Sequence, residues 1–337
     1  MSITITTGGI TMTGGGVSFT APPPGTPTAG WFAGGTASTG FPYTKTSTVQ
    51  RITFATDTAT ASVRGPLSYS NFKGAGTGTL TDGWFGGGYS SSGSTSVFTR
   101  ITYATDTNTS TNKGAISQVR TALAATTDST TYGWFGGGSV APTEAMSTVD
   151  RITFANDTAT SSVRGPLSLA RQYVAASGNT TDGWYGGGQV GGHDSPGGSG
   201  QLSRVDRITY ATDTATATAK GPLSLARYNL ASVTDGSTYS WFGGGYNNGD
   251  QTIVDRITYA TDTTTASVRG PLTQSIYRLG GSGDSTNGYF GGGLGLTPFG
   301  LQSRVQRITY ATDTVTASFR GALSVAVSWY AASSGVQ

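Results

Sequence analysis

Short segments of small or alternating residues, each followed by a turn signal, recur along this chain. Between residues 171 and 222 these segments are 172–177, 183–186, 205–211 and 214–220, and Gly, Asn, Asp or Pro closes each one. Residues 205–211 place successive side chains on opposite faces, which is the period of a β-strand. Four short strands separated by turns predict one antiparallel meander.

The meander repeats at intervals of 49 to 56 residues. The phrase Arg-Ile-Thr-(Tyr/Phe)-Ala-(Thr/Asn)-Asp-Thr begins at Arg51, Arg100, Arg151, Arg207, Arg256 and Arg307. Gly-Trp-Phe-Gly-Gly-Gly, or a close variant, precedes each copy. Such a period indicates one supersecondary unit used many times, and rings of four-stranded meanders are β-propellers. We therefore predict an all-β fold with six blades of four antiparallel strands each.

Side-chain size predicts the strand order within a blade. The first strand of each unit is rich in Ala, Gly and Ser, which suits a crowded inner ring. The Gly-Trp-Phe strand comes second, the Arg-Ile-Thr strand third, and the Thr-Ala-Ser-Val strand outermost. The first unit lacks an inner strand, whereas residues 325–333 match part of the segment 167–177. We expect residues 325–333 to complete the first blade, which would leave no sheet edge open in the ring.

Residues 1–29 lie outside the repeat, and residues 30–337 form the predicted propeller. Segments 3–6, 10–13 and 17–20 alternate like small edge strands, and a Pro-rich spacer follows them. We interpret this stretch as an anchoring arm that folds against a partner; a disordered tail is the alternative.

Composition excludes several classes of function. Charged residues are 11% of the chain, the net charge is +3 and the pI is about 9.0, without the basic stripe that nucleic-acid binding needs. No apolar run is long enough to span a bilayer, and the N-terminus does not resemble a signal peptide. There is no cysteine and a single histidine, His193, so we predict no metal site and no cofactor.

The recurrent aspartate of the Arg phrase is predicted to be structural. We expect a tight hairpin in which the Asp side chain accepts backbone N–H groups two residues on. The residues are Asp57, Asp106, Asp157, Asp213, Asp262 and Asp313.

Three segments resemble kelch repeats. Residues 132–137 match an apolar strand that ends in a Gly pair, residues 149–154 match the next strand with its aromatic, and Pro166-Leu167 with Arg171 match the approach to the following blade. The kelch Trp expected about six residues after that aromatic is absent, so the match is to a divergent branch.

The amino-acid sequence of the repeats over residues 30–333 is similar to that of kelch-like structural proteins of marine and cyanobacterial tailed phages. This resemblance implies a virion component of the tail or fibre, made in the host cytoplasm and present in several symmetric copies. It also implies docking to other virion proteins, for which residues 1–29 are the candidate.

Host-surface recognition is the function we expect first. The loops between second and third strands vary from blade to blade, and variable loops on a repeated scaffold commonly carry binding. A host-surface glycan or protein is the expected ligand, and stacking on sugar is the expected contact. The candidate aromatic residues are Phe41, Tyr43, Tyr89, Tyr246 and Phe299. The alternative is that these rings only cover the top of the ring of blades.

Three arginines at equivalent positions suggest an anion site at the channel mouth. Arg120, Arg171 and Arg227 come just before inner strands, with Arg278 nearby. The alternative is that their guanidinium groups bond loop carbonyls of the adjacent blade.

Two other functions stay open. A spacer or assembly protein of the virion would have the same sequence features. A glycan-degrading enzyme would need paired carboxylates in a cleft, whereas the variable loops hold only Glu144, Asp194 and Asp250 as acids. His193 beside Asp194 fits a solvated pair better than a catalytic dyad. We therefore expect no enzyme activity.

Overall fold

The computed structural model describes residues 2–6, 9–13, 25–140, 144–191 and 200–333. Over these residues the fold is all-β, with short 3₁₀ turns between strands. Two N-terminal strands, β1 (Ser2–Thr6) and β2 (Gly9–Thr13), pair antiparallel with Ser2 opposite Thr13. The third alternating segment predicted for the arm, residues 17–20, lies outside the described residues.

The remaining strands follow in chain order. In the first third they are β3 (Ala29–Ala33), β4 (Val49–Thr53), β5 (Ser62–Arg64), β6 (Asn71–Phe72), β7 (Ala75–Gly78), β8 (Asp82–Gly86), β9 (Tyr89–Ser90), β10 (Gly93–Ser94), β11 (Val97–Thr102) and β12 (Thr111–Ala115). Next come β13 (Ala124–Thr127), β14 (Tyr132–Gly136), β15 (Ser139–Val140), β16 (Glu144–Ala145), β17 (Val149–Thr153), β18 (Ser162–Arg164), β19 (Ala175–Gly178), β20 (Asp182–Gly186), β21 (Val205–Thr209) and β22 (Thr218–Lys220). The last are β23 (Ala231–Thr234), β24 (Tyr239–Gly243), β25 (Val254–Thr258), β26 (Ser267–Val268), β27 (Gly280–Gly283), β28 (Asn287–Gly291), β29 (Leu294–Leu296), β30 (Phe299–Leu301), β31 (Val305–Thr309), β32 (Ser318–Phe319) and β33 (Ala331–Ser333).

Four-stranded antiparallel sheets dominate the described residues, and the fold is propeller-like. We number them sheet 1 (β33-β3-β4-β5), sheet 2 (β7-β8-β11-β12), sheet 3 (β13-β14-β17-β18), sheet 4 (β19-β20-β21-β22), sheet 5 (β23-β24-β25-β26) and sheet 6 (β27-β28-β31-β32). In each sheet the small-residue strand comes first, followed by the Gly-Trp-Phe strand, the Arg-Ile-Thr strand and the Thr-Ala-Ser-Val strand. The predicted strand order is therefore confirmed.

Sheet 1 is built from both ends of the repeated region. Ala331–Ser333 pairs with β3, and Trp31 lies opposite Ser333. The predicted C-terminal strand is thus present, but it covers 331–333 rather than 325–333. The chain before it turns sharply, and Trp329 has a φ of 57°, which an extended strand does not allow.

The first strands of neighbouring sheets lie against one another. β7 contacts β13, β13 contacts β19, β19 contacts β23, β23 contacts β27, β27 contacts β33, and β33 contacts β7. Small residues are required there: a Cβ on Gly281 would lie 2.2 Å from the Ser232 carbonyl oxygen of the neighbouring sheet. The prediction that Ala, Gly and Ser mark a crowded inner strand is confirmed.

The hydrophobic core lies between neighbouring sheets. Between sheets 4 and 5, Trp184, Val205 and Leu223 pack with Phe242 and Ile257, all of them buried. The second strand supplies the largest buried side chains, because its Trp and Phe face opposite neighbours. Truncating one such aromatic residue to Ala typically costs about 3–5 kcal/mol.

The recurrent aspartate connects one sheet to the next. Asp262 of sheet 5 accepts a hydrogen bond of 2.9 Å from the Trp184 indole of sheet 4. The same carboxylate lies 3.0 Å from the Arg207 guanidinium and 3.2 Å from Lys220 Nζ. Tyr259 stacks on the Trp184 ring at 3.9 Å. An indole, two cations and an aromatic face therefore meet at this contact between sheets 4 and 5.

This contact recurs at the other inter-sheet boundaries. The aspartates and their indole partners are Asp106 with Trp31, Asp157 with Trp84, Asp213 with Trp134, and Asp313 with Trp241. Between sheets 6 and 1, the Tyr289 hydroxyl donates to Asp57 at 3.1 Å in place of an indole. We call these six contacts the inter-sheet clamps.

The predicted tight hairpin at the recurrent Asp is wrong. A 3₁₀ turn precedes each Asp: Phe54–Thr56, Tyr103–Thr105, Phe154–Asn156, Tyr210–Thr212, Tyr259–Thr261 and Tyr310–Thr312. The turn places the stacking aromatic and the carboxylate on the same side, so that both reach the preceding sheet. The prediction of a structural role was right, but the partners are Trp, Arg and Lys of another sheet.

Candidate functional site

The loops between second and third strands share one side of the molecule with the chain entering each first strand. Bridges such as Tyr228 to Tyr246 and Gln172 to Gln189 join these two kinds of segment. We call this side the loop face. The inter-strand turns that hold the recurrent Asp lie at the other end of the strands.

Six residues at equivalent positions surround the centre of the loop face. Each lies two residues before a first strand and has left-handed backbone, with φ between 56° and 59°. Each amide N–H donates to the carbonyl of the preceding residue of the set, and the donor–acceptor distances are 2.7 to 3.3 Å. The set is Lys73, Ala122, Tyr173, Asn229, Arg278 and Trp329, and we call it the axial ring.

The axial ring surrounds a cavity of about 70 Å³. Below it, the small side chains of the first strands line a second cavity of about 90 Å³. Leu123, Val174, Leu230 and Leu279 line both cavities. The axial ring therefore lies at one end of a narrow lumen.

The side chains of the axial ring contact one another. The Trp329 ring lies 3.6 Å from the Arg278 guanidinium carbon and 4.5 Å from Lys73 Nζ, both as cation–π contacts. Lys73 Nζ also donates to the Tyr173 hydroxyl at 2.9 Å. The Trp329 indole donates to the Asn229 side-chain oxygen at 3.1 Å. One aromatic ring thus organises two cations at the mouth of the lumen.

An aromatic patch adjoins the axial ring. Tyr43 lies 5.3 Å from both Phe72 and Trp329, measured between ring centroids, and 6.3 Å from Phe41. Tyr89 contacts Phe72 at 5.7 Å. Phe41 is 90% exposed and Tyr89 is 40% exposed. Lys45 Nζ lies over the Tyr89 ring at 4.8 Å, which adds a cation at the edge of the patch.

The structure brings together three of the five predicted aromatics. Phe41, Tyr43 and Tyr89 belong to the aromatic patch. Phe299 is 65% exposed on the β29–β30 hairpin and has no ring contact among the described residues. Tyr246 is buried in a row with Tyr228 and Tyr277. The expectation that Tyr246 stacks on sugar is therefore a misassignment, because its ring is only 5% exposed.

The predicted anion site at Arg120, Arg171 and Arg227 needs correction. These side chains are fully buried and form salt bridges with Asp150, Asp206 and Asp255 respectively. They also bond carbonyls of the sheet that follows, such as Arg171 to the Tyr185 oxygen at 2.9 Å. Burial lowers the pKa of each of the three arginines, and the paired aspartate opposes that effect. Their donors are turned inward, so they do not line the mouth.

A pattern in the sequence marks these buried pairs. In sheets 3, 4 and 5 an Asp stands directly before the Arg phrase. The three arginines stand in the segments that lead into these same sheets. Where Ile276 and Val327 replace the arginine, Gln306 and Gln50 replace the Asp. The acid or amide at this position accepts the same kind of backbone N–H, as from Ser168 to Asp206 and from Gln274 to Gln306.

The acids of the variable loops do not gather into a cleft. Asp250 accepts hydrogen bonds of 2.9 Å from Ser275 Oγ and from the Leu296 N–H, so it holds two loops together. Glu144 is exposed on β16. His193 and Asp194 lie outside the described residues. Within the described part of the chain, no three His, Cys, Asp or Glu side chains are grouped as metal ligands.

No family model and no curated protein matches this chain. In the described ranges, no helix has the length and apolar character needed to cross a membrane.

Proposed function

We propose that the six sheets are the blades of a closed, kelch-like β-propeller. Two observations support closure: the pairing of β33 with β3, and the cycle of hydrogen bonds through the axial ring. The cycle takes one residue from the approach to each sheet and returns to its start. An open solenoid would leave the first and last members without partners.

On this scaffold we propose a non-enzymatic binding module for a saccharide of a host-cell surface. The observation that carries this proposal is the aromatic patch, where exposed Phe41 and Tyr89 flank the less exposed Tyr43 and Phe72. A large exposed ring on a soluble protein keeps apolar area in water, and a sugar face covers such area well. The neighbouring Lys45 and Lys73 supply polar contacts for hydroxyl groups.

The setting we propose is the tail or fibre of a phage virion. The resemblance of the repeat sequences to phage structural proteins supports this setting, and residues 1–29 would connect the propeller to other virion proteins. Multiple copies would then present several loop faces at once, and multivalent binding strengthens weak single contacts.

Binding of the purified protein to cells and to isolated surface polysaccharides tests this proposal. Cells and polysaccharides from a panel of marine bacteria and cyanobacteria would be compared by pull-down and by biolayer interferometry. We expect the double variant Phe41→Ala/Tyr89→Ala to bind at least about tenfold more weakly. Phe319→Ala is the matched control, since it removes another exposed ring, which lies on β32 and outside the variable loops.

Three results would count against the proposal. One is equal binding by the wild type and the double variant. Another is release of reducing ends from the polysaccharide, which would indicate an enzyme. The third is electron microscopy of particles with the loop face enclosed between other subunits, which would favour an assembly role.

A further inference from the structure

Arg278 differs from the other buried arginines of the approach segments. Its side chain is only 7% exposed and lines the axial cavity. Within the described residues, no salt bridge joins it to a carboxylate. By contrast, Arg120, Arg171 and Arg227 each have an aspartate. Burying a charged group without a counter-charge is costly, so an unpaired guanidinium inside a cavity points to an absent anion.

Other groups in the same cavity favour an anion. The Asn229 side-chain nitrogen is buried and has no hydrogen-bond partner, although its oxygen is bonded to Trp329. Lys73 Nζ lies 4.5 Å from the centre of the Trp329 ring. No Asp or Glu is among the described residues that line the cavity. The Arg278 guanidinium and an unused amide donor therefore meet in a cavity whose described lining contains no acid.

The cavity has room for a small group. It measures about 70 Å³ as space for the centre of a water-sized sphere, of which one bound water needs about 10–15 Å³. An acid group therefore fits this space. Trp329 belongs to both the cavity and the aromatic patch, so a ring stacked on the patch would have its substituent beside the cavity.

We propose that the axial cavity binds a single oxyanion group, the carboxylate or phosphate of an acidic saccharide, through Arg278 and Asn229. This inference rests on the proposed saccharide binding and specifies its chemical class. The arginine holds the anion by charge-assisted hydrogen bonds, and Trp329 keeps the guanidinium in place.

Calorimetric titration with four probes tests the site. The probes are an oligogalacturonate, a neutral galactan oligosaccharide of equal length, a phosphorylated oligosaccharide and inorganic phosphate. The variant is Arg278→Gln. Its matched control is Arg304→Gln, which removes the same charge from an exposed arginine that stacks on Phe319 away from the axis. Circular dichroism and thermal melting establish that both variants fold.

We expect at least one anionic probe to bind wild type more tightly than the neutral oligosaccharide. Arg278→Gln should weaken that binding by about 10- to 100-fold, whereas the Arg304→Gln protein should bind the probe as tightly as wild type does. The preferred anionic probe tells a carboxylate from a phosphate. Binding of inorganic phosphate that depends on Arg278 would support the site even if no saccharide bound, in which case only the proposed function fails.

Two outcomes would overturn the inference. In the first, a folded Arg278→Gln protein binds every anionic probe as tightly as wild type does. In the second, the neutral oligosaccharide binds wild type through the aromatic patch and no anionic probe binds better. Saccharide recognition would survive that second outcome, and the anion site would not.

Discussion

The inter-sheet clamps and the axial ring are both six-fold arrangements, but they use repetition in opposite ways. In the clamps nearly the same side chains recur at each boundary: an aspartate, an arginine, a second cation and an aromatic pair. In the axial ring the backbone recurs and the side chains differ: Lys, Ala, Tyr, Asn, Arg and Trp. The recurring side chains of the clamps connect each pair of neighbouring sheets in nearly the same way. The axial ring repeats only its backbone, so its six side chains form one surface with charged, polar and aromatic groups.

Charge balance separates the two regions most clearly. Each clamp aspartate has two cations within 3.6 Å, and the fully buried arginines of sheets 3, 4 and 5 each have an aspartate. Arg278 in the axial ring contacts the rings of Tyr277 and Trp329 and has no described carboxylate partner. The described interior thus pairs its buried arginines with aspartates, whereas the Arg278 guanidinium in the axial ring is the charge for which we propose an anionic ligand.

The largest expected effect breaks a buried pair of the interior. Arg171→Ile removes the buried cation of Asp206 and leaves only the partly exposed Arg204, 3.3 Å from that carboxylate, so we expect a loss of about 3 kcal/mol in the free energy of unfolding. Sheet 6 contains Ile276 with Gln306 at the same positions, so Arg171→Ile/Asp206→Gln copies a combination that the chain already uses. Urea denaturation should show the double variant recovering most of the loss. A double variant as unstable as the single one would show that the pair is not interchangeable with Ile and Gln.

A smaller effect compares one substitution in both regions. Trp184→Phe removes the indole donor to Asp262 in a clamp, and we expect a loss of about 2 kcal/mol, since the acceptor is charged and buried. Trp329→Phe removes a donor to the neutral Asn229 at the open end of the lumen, and we expect a loss below about 1 kcal/mol. Urea denaturation measures both losses in the free energy of unfolding. Equal losses for the two variants would contradict the distinction between the inter-sheet clamps and the axial ring.

The smallest effect concerns Arg278 itself. Arg278→Met keeps an unbranched side chain against Trp329 and removes the unpaired charge. We expect the free energy of unfolding, without ligand, to stay within about 1 kcal/mol of the wild-type value or to rise. Thermal and urea melts at low phosphate measure this. A loss as large as that of Arg171→Ile would mean that Arg278 is a structural residue with a partner inside the fold.

Much of the fold could be predicted from the sequence because each strand carries its own local signal. The small residues of β19, the Gly-Trp-Tyr of β20 and the alternation of β21 each indicate a strand and its place in the sheet. The partner of Asp262 could not be predicted in this way, since Trp184 and Arg207 lie 78 and 55 residues away and in another sheet. A turn role already accounted for the recurrence of the Asp, so nothing in the sequence indicated a partner in another sheet.

The candidate site was harder to predict for a physical reason. The axial ring adopts left-handed backbone at Lys73, Tyr173 and Trp329, residues that do not usually mark such a conformation. Arg120, Arg171 and Arg227 stood out because they repeat, and repetition in this chain marks the joints. Arg278 occupies the ring position two residues later in its unit and stood apart from that series. Its departure from the position of the repeated arginines is the sequence feature that distinguishes it from them.

The hydrogen-bonded cycle of the axial ring has a consequence for how such a molecule can change. The cycle is made by amides and carbonyls alone, so it asks of each position only that the residue tolerate a left-handed backbone. The side chains at the mouth can therefore be exchanged without altering the backbone cycle or the inter-sheet clamps. Duplication of one unit would copy the frame, and single substitutions at these six positions would be enough to give the descendant a new specificity.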